Sequence, residues 1–127
     1  NMFGTVTRLN TTTATITKVA HGLSLPGTDK LMAIYVDTAT GNLLPSDSTD
    51  VTKQKALFVT DIVTVDIVKV QTTGFFISTA HGYTVGEYYY VTDAGDGGFS
   101  TTPGTLNDVG FLVLDANTLI LIDNREL

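Results

Sequence analysis

Polar and apolar positions alternate through Ala14-Thr15-Ile16-Thr17-Lys18-Val19, and threonine or a branched residue fills most of them. A period of two with β-branched residues marks a half-buried strand. Further strands are predicted at 3–7, 31–36, 74–78, 88–91, 109–114 and 118–122. Residues 55–60 and 62–70 are nearly continuous apolar runs, which predicts strands buried on both faces. Turn-forming stretches lie between them: Arg8-Leu9-Asn10-Thr11, Pro26-Gly27, 37–42, 45–50, Asp61, 93–98, 100–104 and Asp115-Ala116-Asn117. No window of helical length joins a 3.6-residue apolar period to helix-forming composition. The pattern is all-β, with eight or so strands at the spacing of a barrel or sandwich.

The pattern also repeats. Residues 11–27 read TTTATITKVAHGLSLPG and residues 71–87 read QTTGFFISTAHGYTVGE, so an offset of 60 lays Ala20-His21-Gly22 on Ala80-His81-Gly82 without a gap. An offset of 54 then lays Leu57-Phe58-Val59-Thr60-Asp61 on Phe111-Leu112-Val113-Leu114-Asp115, and Thr64 on Thr118. The expected organisation is therefore two tandem duplicated antiparallel β units, 3–69 and 66–123, in one compact domain. A single strand over 62–70 would close the first unit and open the second.

Composition narrows the chemistry. With 127 residues, 43 % of them hydrophobic, the chain can bury a core of its own. It has no cysteine, which excludes disulfides, thiolate metal sites and cysteine nucleophiles. The net charge is −6, and Arg8, Lys18, Lys30, Lys53, Lys55, Lys69 and Arg125 form no cluster in sequence. Nucleic acid and anionic membrane are therefore not expected partners. No apolar run approaches the roughly 18 residues needed to cross a bilayer as a helix. Asn1 ahead of Met2 reads as a tag remnant before the natural start, which would make this a complete small protein without a signal segment.

His21 and His81 could serve as bases or metal ligands. Each precedes a glycine at the same place in its repeat, so a structural role in the His21-Gly22 and His81-Gly82 turns is the stronger reading. Asp93 and Asp96 lie in a glycine-rich loop that could hold Ca²⁺, but the loop lacks the remaining carboxylates of a calcium loop and suits an ordinary hairpin turn. There is no GxSxG, phosphate loop, carboxylate pair or metal-spaced histidine pattern, so neither an enzyme nor a cofactor is expected. Tyr83, Tyr88, Tyr89 and Tyr90 crowd into eight positions. Tyrosine is large, stiff and half polar, which suits interfaces. The expected contact surface comprises Tyr83, Tyr88 and Tyr90 with the loops that hold Pro45, Asp50, Asp93 and Asp96.

In the second unit, Ala80-His81-Gly82-Tyr83-Thr84-Val85-Gly86-Glu87 leads to Tyr89-Tyr90-Val91, then Gly97-Gly98, then Gly110-Phe111-Leu112-Val113-Leu114-Asp115-Ala116-Asn117-Thr118-Leu119. This succession resembles small structural proteins of tailed-bacteriophage virions, in heads and tails alike. The first unit resembles them more loosely, because Pro26-Gly27 replaces the Val-Gly-acid step and the 45–50 loop is extra. The resemblance implies a virion location. It further implies a capsid decoration protein that binds the major capsid protein or another virion protein, often as a homotrimer. The alternative is a tail or fibre component whose tyrosines stack on host glycan.

Overall fold

The computed structural model describes residues 12–123, so the segment expected as a strand at 3–7 and its hairpin connection lie outside the described residues. Ten strands are described: β1 Thr13–Thr17, β2 Met32–Val36, β3 Leu43–Pro45, β4 Leu57–Thr64, β5 Ile67–Gln71, β6 Gly74–Ile77, β7 Tyr88–Val91, β8 Phe99–Ser100, β9 Val109–Asp115 and β10 Thr118–Leu121. One 3₁₀ turn, Val51–Lys53, interrupts them, with Asp50 accepting from the Thr52 N–H at its start. The chain is all-β, as the alternation predicted.

The strands form two five-stranded sheets, ordered β1-β5-β4-β2-β3 and β6-β10-β9-β7-β8, and every pairing is antiparallel. Adding five to each label of the first sheet reproduces the second, so the duplication is one of topology as well as sequence. The strand expected over 62–70 is two strands, however, and both belong to the first sheet. The turn between them is at Val65 and Asp66, not at Asp61, because β4 continues through two register shifts, between Val59 and Asp61 and between Ile62 and Thr64. Each bulge adds a residue to one strand only, so β4 outlasts a strict alternation. The two units therefore divide at the short connection between Gln71 and Gly74. Nor is β4 or β5 buried throughout on both faces, since Asp61, Val63 and Lys69 are exposed.

Each sheet buries one face under its own core. In the first, Met32, Ile34, Val59, Val68 and Val70 pack with Leu23 and Leu43, flanked by Ile16, Leu25, Leu57 and Ile62. In the second, Phe111, Val113, Leu119 and Leu121 pack with Phe76, Tyr83, Tyr89 and Phe99. Leu31 and Phe58 join that second core although they belong to the first unit. Phe58 neighbours Val59 along β4 and so projects from the opposite, outer face of the first sheet. The outer face of unit one thus closes the core of unit two, and the units stack in series.

Candidate functional site

The two histidine turns are built alike. His81 Nδ1 accepts the Tyr83 N–H at 3.0 Å, which leaves the ring proton on Nε2 to be donated to the Asp115 carbonyl at 2.7 Å. His21 Nδ1 accepts the Leu23 N–H at 2.9 Å and Nε2 meets the Thr64 carbonyl at 2.7 Å. The His21 and His81 N–H groups donate to Val65 and Ala116 carbonyls, and the Ala20 and Ala80 N–H groups donate to Asp66 Oδ1 and Asn117 Oδ1. Each histidine straps the loop after the first strand of its unit to the hairpin that closes the unit. Ala20 and Ala80 take φ of 51° and 52°, and Gly22 and Gly82 take 70° and 86°, so the left-handed step comes twice in each turn.

These anchors fix the true equivalence of the closing hairpins. Thr64, Val65 and Asp66 in unit one correspond to Asp115, Ala116 and Asn117 in unit two, an offset of 51 in place of the 54 expected from the sequence. The β4 bulge between Ile62 and Thr64 has its counterpart in β9 between Val113 and Asp115, so of the two only the bulge between Val59 and Asp61 is peculiar to unit one, and it accounts for one residue of the difference. Both imidazoles spend both nitrogens on backbone, and among the described residues no group of three or more His, Cys, Asp or Glu side chains gathers for a metal.

Tyr83, expected on an exposed contact surface, is half-buried against the core of the second unit. Its ring meets those of Tyr89 and Phe111 edge-on at 4.9 and 5.0 Å. Its hydroxyl donates to Asp29 Oδ1 at 2.7 Å and accepts from the Lys30 N–H at 3.0 Å, so it pins one unit to the other. Burial, then the bond to Asp29, pushes the phenol far above its ordinary value. Burial is also the largest influence on Asp29 and raises its carboxyl above 3.8, against the lowering effect of the bonds from Tyr83 and Phe99.

The other loop residues lie along the same seam. Asp93 accepts the Thr105 N–H at 2.9 Å and the Thr105 hydroxyl at 2.8 Å, and Asp96 accepts the Gly98 N–H at 2.9 Å. Pro45 ends β3, one residue before Ser46, whose carbonyl accepts the Gly97 N–H. The Gly97 carbonyl in turn accepts the Ala33 N–H at 2.9 Å, which draws residues 92–108 across unit one. Pro45, Asp50, Asp93 and Asp96 are thus tied to local or inter-unit bonds, and Tyr88 and Tyr90 are left on a different surface.

That surface is the outer face of the second sheet. Register places Phe75, Ile120, Leu112 and Tyr88 side by side across four strands. Tyr90, Leu114 and Ile77 extend the row, and Ile77 is 66 % exposed, Leu114 and Tyr88 each 48 %. The corresponding row of the first sheet is Thr15, Lys69 and Asp61. At the same register one copy therefore carries a solvated row and the other an apolar row, while Phe58 elsewhere on the first sheet's outer face closes the core of unit two, so the topology does not itself require apolar residues in this row. Alternation exposed Tyr88 and Tyr90 to sequence reading. Leu112, Leu114, Ile77 and Ile120 were missed because only the pairing shows that they are neighbours.

No family model, curated protein or solved structure matches this chain.

Proposed function

We propose that this protein is a structural component of a tailed-bacteriophage virion, and specifically a capsid decoration protein that binds the outer shell and stabilises it. The observation that carries the reading is the apolar outer face of the second sheet, set against the polar row of Thr15, Lys69 and Asp61 at the same register of its duplicate. A contiguous apolar sheet face suits a contact surface. The face spans four strands about 4.8 Å apart and about four residues along each, on the order of 300 Å². A stable standard interface covers about 800 Å² per partner, so one such contact is weak and many copies on a lattice are needed. The motif resemblance of residues 80–119 supports the same class of protein.

Immunogold electron microscopy of the source virion, with antibody to this chain, tests the proposal. Label spread over the head supports decoration, and particles lacking the protein should then lose their shells at lower temperature. Label confined to the tail favours the fibre reading, in which Tyr88 and Tyr90 meet glycan. Absence of label from intact particles and from disrupted particles refutes a virion role.

A further inference from the structure

Charge is divided unequally between the units. Residues 12–71 carry five lysines and six aspartates, a net charge of −1, whereas residues 74–123 carry six acids and no lysine or arginine, a net charge of −6. Two second units brought face to face would oppose charges of −6 and −6. A second unit brought to a first unit opposes −6 and −1, and four of the five lysines of unit one lie outside the core, Lys55 being buried with its ammonium on the Ile122 carbonyl. Electrostatics therefore disfavours a two-fold contact through the apolar face and favours a head-to-tail one.

Unit one offers a place for such a contact. An open groove of about 490 Å³ is lined by Ala20, His21, Leu23, Ile62, Thr64 and Val65. Val65 is 74 % exposed, and Val19, one residue before the lining begins, is 77 % exposed. Lys18 adjoins this rim, its N–H bonded to the Asp66 carbonyl. In unit two the position of Leu23 is taken by Tyr83, whose ring packs among Tyr89, Phe111 and His81.

We infer that the partner of the apolar face is a second copy of this chain: the outer face of one second sheet, through Tyr88, Leu114 and Ile77, docks on the Val19 and Val65 rim of the next copy's first unit. The inference rests on the reading of that face as a contact surface. The chain already packs its own units in series, outer face of the first against the core of the second, so the contact extends an arrangement present within it. A contact between unlike surfaces leaves one of each unused at the ends, so assembly proceeds to a closed ring or an open chain.

Complementary variants of the full chain test this by sedimentation velocity. Tyr88→Ser with Leu114→Ser removes the face and keeps the groove, while Val19→Ser with Val65→Ser removes the groove rim and keeps the face. All four positions are exposed, and unchanged melting curves establish that each variant is folded. Wild type is expected to gain mass with concentration, and each variant alone to associate at least about tenfold more weakly. An equimolar mixture of the two variants is expected to form a one-to-one dimer and nothing larger, since only one good face and one good groove remain. Undiminished association of the groove variant alone would overturn the inference in favour of a two-fold contact. Wild type that stays monomeric at millimolar concentration would overturn it too. If that monomer still bound virion heads, the proposed function would stand without it.

Discussion

Replacing each histidine with alanine separately turns the duplication into an internal control. His81 is 5 % exposed and His21 is half-buried, but their bonds are the same. His81→Ala removes two hydrogen bonds worth about 1 kcal/mol each and leaves the Tyr83 N–H and the Asp115 carbonyl with one partner fewer where water has little access. It also removes an imidazole 5.4 Å from the Tyr83 ring, next to the inter-unit bond. Together these give a loss of about 3 kcal/mol. At His21 water reaches the Thr64 carbonyl, and the expected loss is about 1 kcal/mol. For a domain of this size 1 kcal/mol moves the melting temperature by about 3–5 °C, so His81→Ala should lower it by about 10 °C and His21→Ala by about 4 °C. Urea unfolding followed by far-ultraviolet circular dichroism measures both losses, with an unchanged denaturant slope confirming that the unfolding reaction is the same. Equal losses, or a larger loss for His21→Ala, would refute the assignment of the difference to burial.

Two further outcomes are expected. Gly97 has φ of +74° and a Cβ built there would lie 2.4 Å from the Ala33 carbonyl oxygen, whereas Gly82 has φ of +86° and open space. Gly82→Ala should therefore cost about 1 kcal/mol and Gly97→Ala more than about 3 kcal/mol, and similar urea midpoints for the two would contradict the tight packing of the seam. The raised Asp29 carboxyl means that the folded state holds a proton more firmly than the unfolded chain. Its contribution to stability is present below pH 3.8 and is lost as pH rises through its folded value. The stability difference between wild type and Asp29→Asn should therefore shift against wild type over that window, and a difference independent of pH would remove Asp29 as its source.

The fold was legible where it is local. The threonine-rich alternation gave β1 and the apolar and aromatic runs gave β2, β7, β9 and β10, because strand pattern is a property of neighbouring residues. The matched Ala-His-Gly turns disclosed the duplication. What escaped was set by pairing across distance. The bulge between Val59 and Asp61, absent from the β9-β10 pairing, shifts unit one by one residue against unit two, and β4 runs on past Asp61 to a turn at Val65 and Asp66. Tyr83 looked like its neighbours Tyr88 and Tyr90, and its bonds to Asp29 and Lys30, 54 and 53 residues away in sequence, are among the contacts that distinguish it. The outer apolar row draws one residue from each of four strands, so no window of sequence contains it.

The strand orders also impose a sequence of events on folding. Thr13 pairs with Gln71 and Gly74 with Leu121, so each unit's first strand pairs with its last. The β4-β5 and β9-β10 hairpins close only short loops and can form early, whereas β1 and β6 must await nearly the whole of their units. Phe58, which unit one supplies with Leu31 to the core of unit two, sits on β4, whose hairpin closes a short loop and can form ahead of β6. On a ribosome, the first unit would emerge able to offer that ring as the second is still being made, so synthesis order and packing order coincide.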